Sequence, residues 1–587
     1  MIERTKSTVI DNIMRRNLDN LTGHAFESFG ITIDYKTFFD AVDKYAKAYK
    51  EMGIQEGDVV TLCLAGTLDT IINFYALNKI GAISNLINPN FVKFNPKKYL
   101  DETNSKLLVV MDRFYPALKD SIAQSDTKRI VLSSLTEYSS LLYRVIIRRK
   151  PPKKEDLIPG IEYMTLPEFV KIGESSHLQL GELPYEPDRV ATITYTSGTT
   201  GNPKGVVLTN DSLNNMISIY DIKNGFGSHR GDKNLVLIPP VYGTSLCHSI
   251  NTPLAFGCTT QLQPIYNPKT FAKDLLKYRP KIVVASKAHY ISLLKEKLKP
   301  GSLSFLEMAF CGGEPITPEL ARDINETLTY LGAQRMIIGY GMTEFGTMTM
   351  FNMDMPNRVN ESGFLLPEIE ARIIDPITGE LITEPEKKGQ LQITSPSMMK
   401  EYYHDPERTA EFFFEEDGKK WGRTGDIACK HKDGSYDVSG REKDSFINAN
   451  GEIVYLFEIE NTIEKIEYVR ECEVVAVTVD GEKKAVAHII LKKDYPYTIR
   501  SQILQYINGY IQQNLPEKDL PFAYKIRKSF DTSPISGKRD SESLKYETEG
   551  FTTFEEGLQF ETVINSEESE HTNDFIQEVK KLNLKIK

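Results

Sequence analysis

The stretch "YTSGTTGNPKG", residues 195–205, decides how the rest of the chain is read. It packs three glycines, four hydroxyl residues after the tyrosine and one lysine into eleven positions. Ordering such a loop costs conformational entropy, so a purely structural role would be expensive. Before it, "RVATITYTSG" alternates Val190, Thr192 and Thr194 with Ala191, Ile193 and Tyr195, the pattern of a strand. After it comes a short apolar run, 206–208, and then a Thr/Asn/Asp/Ser cluster that reads as a helix start. The glycine stretch is therefore a loop that leaves one strand and enters another. Glycines let several backbone N–H groups converge, and hydroxyls with a lysine add donors and positive charge. That combination suits phosphate oxygens. It departs from the Gly-x-x-x-x-Gly-Lys-Ser/Thr pattern: counted from Gly198, the second glycine falls on Pro203, and Lys204 is followed by Gly205. A flexible surface hairpin is the plainer alternative.

Composition sets the frame around that loop. The chain has 587 residues, 40% hydrophobic and 26% charged, an ordinary globular balance. Its length corresponds to about three or four units of ~150 residues. A net charge of −10 argues against a nucleic-acid partner. Cys63, Cys247, Cys258, Cys311, Cys429 and Cys472 are scattered without a Cys-x-x-Cys pair, as expected of reduced thiols in a cytoplasmic protein. The opening "MIERTKSTVIDNIMRR" lacks the apolar core of a signal peptide, and no apolar run approaches the ~20 residues of a membrane span.

Along the chain, helical and strand-like stretches alternate from about 33 to 115 and again from 187 to 345, which favours an α/β domain with largely parallel sheets. Between 358 and 440 the pattern changes to short strands separated by Asp-Pro, Thr-Gly and Asp-Gly turns, a small β-rich, barrel-like subdomain. The expected organisation is an N-terminal domain over 1–439, a small mobile α+β domain over 440–545, and an acidic tail over 546–587. Residues 144–154, "RVIIRRKPPKK", hold six positive charges and two prolines. With the apolar residues before them, 139–154 read as a solvated insertion or as a contact with an anionic membrane surface.

Other stretches carry more chemistry than structure needs. "IIGYGMTE", 337–344, is an apolar strand ending in two glycines, an aromatic ring, a hydroxyl and a carboxylate: a ring to stack on a base and a carboxylate for a metal, or a turn with a core tyrosine. "WGRTGD" places Asp426 in a tight turn, where it could accept hydrogen bonds from a ribose diol or cap its own turn. "GREKD", 440–444, lies where composition changes and reads as a linker, and "SPISGKRD" puts Lys538 on a loop.

In this order, and over about 30–545, these stretches resemble the acyl-adenylate-forming superfamily, which includes acyl-CoA synthetases and peptide-synthetase adenylation domains. The resemblance implies that Thr196, Ser197, Gly198, Thr199, Thr200 and Lys204 hold the β- and γ-phosphates of ATP. Gly313 and Glu314, in "CGGEP", would line the adenine pocket, with Tyr340 stacking on the ring and Gly341, Met342 and Thr343 beside it. Glu344, with Thr196, would hold Mg²⁺, and Asp426 would bind the ribose hydroxyls with Arg441 nearby. Lys443 falls at the hinge. Lys538 would neutralise charge between the substrate carboxylate and the α-phosphate, so Lys538, Lys204 and Glu344 are the catalytic candidates.

Tyr242, Gly243 and Gly339 are the candidates for the acid pocket. The family's histidine position there is filled by Tyr242 in "VYGTSLCHS", and no aspartate lies between Asp232 and Asp274. A buried ammonium without a partner is costly, so an α-amino acid is disfavoured. The family pattern also lacks its proline in "KIVVASKAHY", has Glu401 in place of glycine, and has Leu456 in place of proline. The expectation is an AMP-forming ligase joining a medium- or long-chain fatty acid to coenzyme A. An acyl carrier protein's phosphopantetheine arm is the alternative acceptor, and a catalytically silent nucleotide-binding protein is the alternative of another class.

Overall fold

The computed structural model describes residues 4–147, 152–196, 203–222, 227–264, 266–314, 316–353, 362–531, 541–555 and 557–562. The chain divides into two compact units, 1–424 with 428–438, and 425–427 with 439–587. Ser197, Gly198, Thr199, Thr200 and Lys538 lie outside the described residues.

The first unit is α/β, as its alternating pattern predicts. One sheet has eight strands, in the spatial order Glu401–Tyr402, Lys204–Thr209, Val190–Thr196, Ile83–Leu86, Val59–Cys63, Leu107–Met111, Arg129–Ser133 and Glu162–Thr165. From Val190–Thr196 onward the pairings are parallel. Both Val59–Cys63 and Leu107–Met111 are buried throughout. Parallel strands covered on both faces read as continuous apolar runs for this reason. The helix Tyr35–Glu51 packs against the helices Leu68–Lys79 and Leu166–Ser175. It starts at Asp34, whose carboxylate accepts from the Thr37 N–H at 2.7 Å, and buries Phe38, Val42, Tyr45 and Tyr49 along one stripe.

A second sheet has nine strands, with Phe364–Leu365, Thr347–Phe351, Met336–Met342, Met308–Gly312, Ile282–Ala285, Lys233–Val236 and Thr259–Leu262 as its first seven. Its central pairings are parallel, and Thr347–Phe351 turns back antiparallel on Met336–Met342. The β-rich stretch forms a third sheet, Leu381–Ile382, Glu370–Ile374, Lys388–Thr394, Lys419–Lys430 and Phe413–Glu416, with Tyr436–Arg441 beside Lys419–Lys430.

The second unit has a five-stranded sheet, Val469–Val479, Glu482–Leu491, Ala523–Arg527, Phe551–Glu555 and Leu558–Thr562. Ile459, Ile463, Ile503, Ile507 and Ile511 from helices Leu456–Glu464 and Tyr497–Asn514 pack on its Val474, Ala487 and Ile489. Part of the stretch expected as an acidic tail belongs to this sheet: 551–562 form a hairpin joined to the rest at Tyr524↔Thr552. Phe551, Thr552, Thr553 and Phe554 supply strand-forming residues to its first arm, and Gly557, at φ +79°, lies between the two arms.

All six cysteines are buried. Among the described residues, no helix is long and apolar enough to cross a membrane.

Candidate active site

Two antiparallel strands, Val190–Thr196 and Lys204–Thr209, flank the glycine-rich stretch. Thr196 pairs with Lys204 and Tyr195 with Gly205. The base of the hairpin is anchored by aromatic packing. The buried Tyr195 ring lies 5.0 Å from Tyr99 and 5.9 Å from Phe91, both edge-on. Lys98 Nζ donates to the Pro203 carbonyl at 3.2 Å.

On its other edge, Lys204–Thr209 receives the two-residue strand Glu401–Tyr402, with Glu401 opposite Val207 and Tyr402 opposite Val206. The Tyr403 N–H closes the pairing on the Gly205 carbonyl at 2.7 Å. This register brings three side chains together. Lys204 Nζ lies 5.0 Å from the centre of the Tyr402 ring, and the Tyr402 hydroxyl donates to Glu344 Oε1 at 2.8 Å. Tyr402 and Glu344 are 4% and 5% exposed, so neither contact is diluted by bulk water. The backbone at Glu344 is fixed as well, its carbonyl accepting from the Met399 N–H at 2.7 Å.

Glu344 is suited to a hard cation. Among the described residues its carboxylate has one donor, a neutral hydroxyl, and no ion pair. A buried carboxylate held this way leaves oxygen lone pairs for a divalent ion, and Mg²⁺ takes oxygen donors. Thr196 lies directly opposite Lys204 in the same antiparallel pair.

Next to this cluster the strands approach closely because glycines leave no side chain in the way. Gly341 faces the Thr347 carbonyl oxygen so closely that a Cβ would lie 1.6 Å from it, and a Cβ on Gly312 would lie 2.7 Å from the Gly339 carbonyl oxygen. The ladder between Met336–Met342 and Thr347–Phe351 shifts register between Tyr340 and Gly341. Bulges of this kind re-aim side chains at the end of a strand. Tyr340 is half-buried there, Gly313 adopts φ +84°, and Glu314 is held 3.8 Å from Lys287 Nζ. A ring, a glycine floor and an exposed polar turn could together hold a purine.

Gly243 lies against Thr343, since a Cβ on it would sit 2.6 Å from the Thr343 methyl group. The Gly243 carbonyl accepts from Thr347 Oγ1 at 3.1 Å, and the Tyr242 hydroxyl accepts from Asn88 Nδ2 at 3.3 Å. Behind them the segment Ser245–Asn251 is buried throughout. Burial there pushes the His248 pKa down to about 3 and the Cys247 thiol up to about 12. His248 and Cys247 are therefore both neutral at ordinary pH.

In the second unit, Asp426 is buried and pairs with Arg441 Nε at 2.9 Å. It sits within the long strand Lys419–Lys430 instead of the tight turn expected from "RTGD". The preceding Gly425, at φ +68°, kinks the strand locally without ending it. Lys443 lies in the short turn Glu442–Asp444, half exposed, 3.4 Å from Asp444.

Tyr402 was not among the sequence candidates. A two-residue strand has no periodicity to read, and its function depends on a register with residues almost two hundred positions away.

The chain matches the model of the family described as AMP-binding enzyme over residues 19–403, about two thirds of its length. It belongs to that family. This AMP-binding enzyme is 25% identical over 537 residues to a long-chain-fatty-acid–CoA ligase of Bacillus subtilis, covering 89% of this chain and 92% of that one. It is 26% identical over 526 residues to a mitochondrial medium-chain acyl-CoA ligase of Danio rerio, covering 86% and 83%. Among solved structures, ATP-bound MatB from Rhodopseudomonas palustris superposes with a TM-score of 0.74 at 20% identity, over 92% of this chain and 98% of that one. The fold and the family expected from the sequence are therefore both met.

Proposed function

We propose that this AMP-binding enzyme is an AMP-forming acid–thiol ligase. It joins a carboxylic acid to ATP, releasing pyrophosphate and forming an acyl-AMP, and then passes the acyl group to the thiol of coenzyme A. The observation that carries the reading is the Lys204–Tyr402–Glu344 cluster at the mouth of the glycine loop. Attack of a carboxylate on a phosphoryl centre brings anions together, so the catalyst's task is positioning and charge compensation.

In this reading Lys204 and the loop donors, Thr196 and Ser197 to Thr200, bind the β- and γ-phosphates. Tyr340, Gly341, Met342 and Thr343 flank the adenine, with Gly313 and Glu314 on its other side. Asp426 receives the ribose hydroxyls and Arg441 fixes its orientation. Mg²⁺, on Glu344 and Thr196, supplies charge neutralisation to the phosphates when bound. Tyr402 is a positioning residue that holds the Glu344 carboxylate. Lys538 serves the adenylation step, and Lys443 the linker that carries it. Tyr242, Gly243 and Gly339 line the acid pocket.

The acid in this reading is a medium- or long-chain fatty acid. The names of the two curated relatives support it. So does the sequence from 233 to 273, which holds no carboxylate to pair with a substrate ammonium. The cytoplasm is the compartment that fits the reduced, buried cysteines. The test is thioester formation with CoA across fatty acids of graded length, aryl acids and amino acids, with an acyl carrier protein as the competing acceptor. A maximum at C8–C18 acids with CoA is expected. A preference for amino or aryl acids, or for the carrier arm, would overturn the assignment of substrate or acceptor.

A further inference from the structure

The turn that leads into Lys388–Thr394 and the end of Lys419–Lys430 bring together three metal-ligating side chains that the ligase chemistry does not use. Glu386, Cys429 and His431 each place one ligand atom within 4.8 Å of the other two, the only such group of three among the described residues. All three belong to the first unit. The strand accounts for two of them. Alternate residues of a strand share a face, so Cys429 and His431, two positions on, meet on one side while Lys430 between them is exposed. A backbone bond accounts for the third: the Glu386 N–H donates to the Lys430 carbonyl at 2.9 Å. Glu386 is held there at φ +69°, a left-handed conformation uncommon for a residue with a side chain. A tight turn fixes the backbone of His431. Its N–H donates to the Ser435 carbonyl at 2.8 Å, and its carbonyl accepts from the Gly434 N–H at 3.0 Å.

The donor set selects the metal. A thiol, an imidazole and a carboxylate are together the ligands of a borderline divalent ion, and sulfur disfavours the hard Mg²⁺ and Ca²⁺. In a tetrahedral zinc site, with bonds of about 2.0–2.3 Å, neighbouring ligand atoms stand about 3.5 Å apart, so small side-chain rotations close this cluster on an ion. His431 Nδ1 already donates to Glu386 Oε2 at 2.6 Å, which holds imidazole and carboxylate side by side. Cys429 is 5% exposed and forms no disulfide. A surface ion pair between His431 and Glu386 would need no thiol beside it. The other charged groups near the cluster are Lys388, Lys432 and Asp437. The two lysines oppose a cation, but a thiolate and a carboxylate as ligands make the zinc site itself neutral, and Asp437 offsets one lysine.

We propose that Glu386, Cys429 and His431 bind a Zn²⁺ ion, with water in the fourth position, and that the ion pins the turn before Lys388–Thr394 to the end of Lys419–Lys430. Binding forms one metal–sulfur, one metal–nitrogen and one metal–oxygen bond. The Cys429 thiol proton passes to solvent, and the imidazole stays neutral with its proton on the nitrogen that does not bind. The proposal is independent of the ligase reading and uses none of its residues. Titration of the full-length protein with Co²⁺, after removal of bound metal and chelator, tests it. Thiolate coordination is expected to give a sulfur-to-cobalt charge-transfer band that saturates at one equivalent, survives excess Mg²⁺ and disappears when Zn²⁺ displaces the cobalt. Cys429→Ala should lose the band. His431→Gln and Glu386→Gln should each weaken zinc binding, measured by competition with a chromogenic chelator, by about tenfold or more. Saturating Zn²⁺ should raise the melting temperature of wild type and leave that of the three variants unchanged. Near-ultraviolet circular dichroism of the metal-free proteins shows that the variants fold, and the two glutamine variants, changed at the surface, keep the test decisive if Cys429→Ala does not. No charge-transfer band in wild type, a band that persists in Cys429→Ala, or equal zinc affinity in wild type and His431→Gln would overturn the proposal and leave a surface ion pair beside a buried thiol.

Discussion

Replacing Tyr402 with Phe removes one atom, the hydroxyl that donates to Glu344 at 2.8 Å. Glu344 is 5% exposed, so water cannot readily take the donor's place. A hydrogen bond to a charged group contributes about 1.5–3 kcal/mol, and a buried acceptor left unmade carries most of that loss. In a unit of more than four hundred residues the unfolding entropy is large, so each kcal/mol moves Tm by only roughly 1 °C. Tyr402→Phe is expected to lower Tm by about 2–3 °C in the absence of nucleotide. If the carboxylate faces a cation site, Mg²⁺ with ATP supplies the missing partner, and the deficit shrinks. With ATP and EDTA it stays. Differential scanning calorimetry of wild type and variant under the three conditions reads this directly, and a Mg²⁺ titration of exchange activity gives a second readout. A deficit that is identical with and without Mg²⁺–ATP would refute the assignment of Glu344 to the metal and leave it a structural carboxylate.

Gly341→Ala would force a Cβ to within 1.6 Å of a backbone carbonyl, so it should abolish nucleotide binding or expression, whereas Gly313→Ala meets open space and loses only the comfort of φ +84°; nucleotide binding by fluorescence or calorimetry compares the two. Asp426→Asn keeps the shape but removes the charge that pairs with Arg441, and should raise the KM for ATP about tenfold, corresponding to the ~1.4 kcal/mol of a charged hydrogen bond; an unchanged KM would exclude Asp426 from the ribose. His248 has a folded pKa of about 3, below the ~6.5 of the unfolded chain, so as pH falls through that interval the unfolded state takes up a proton that the folded state refuses. Stability therefore drops on acidification, by up to about 1.4 kcal/mol per pH unit from this group. Asp69, pushed up to about 6 by burial, acts with the opposite sign between pH 6 and 3.8, so the test is the difference between wild type and His248→Phe from pH 7 to 4, which should narrow or reverse in the variant's favour as pH falls.

The residues that the sequence made legible are those whose chemistry is local. A strand, a glycine-rich turn and a second strand announce the hairpin around Lys204, and an apolar strand ending in Gly-Tyr-Gly announces Tyr340 and its neighbours. The helix Tyr35–Glu51 follows from its apolar stripe and its Asp34 cap. What the sequence hid depends on distant pairing. Tyr402 acquires its place only when Glu401–Tyr402 joins the edge of Lys204–Thr209. Thr-Gly-Asp is turn-like in isolation, yet the strand Lys419–Lys430 continues through Gly425 and carries Asp426 within it. Likewise the acidic run after residue 546 masks a hairpin whose aromatic and β-branched residues pair only through the ladder of Phe551–Glu555 with Leu558–Thr562.

Acid-dependent exchange of pyrophosphate into ATP is the most direct test of the central claim, because it requires formation of an acyl-AMP and nothing after it. The account predicts exchange that depends on a fatty acid, needs Mg²⁺, proceeds without CoA, and is lost in Lys204→Ala and Lys538→Ala while both variants keep the wild-type melting temperature. Tight Mg²⁺–ATP binding with no exchange for any acid would contradict it, and would leave a nucleotide-binding protein without the ligase chemistry.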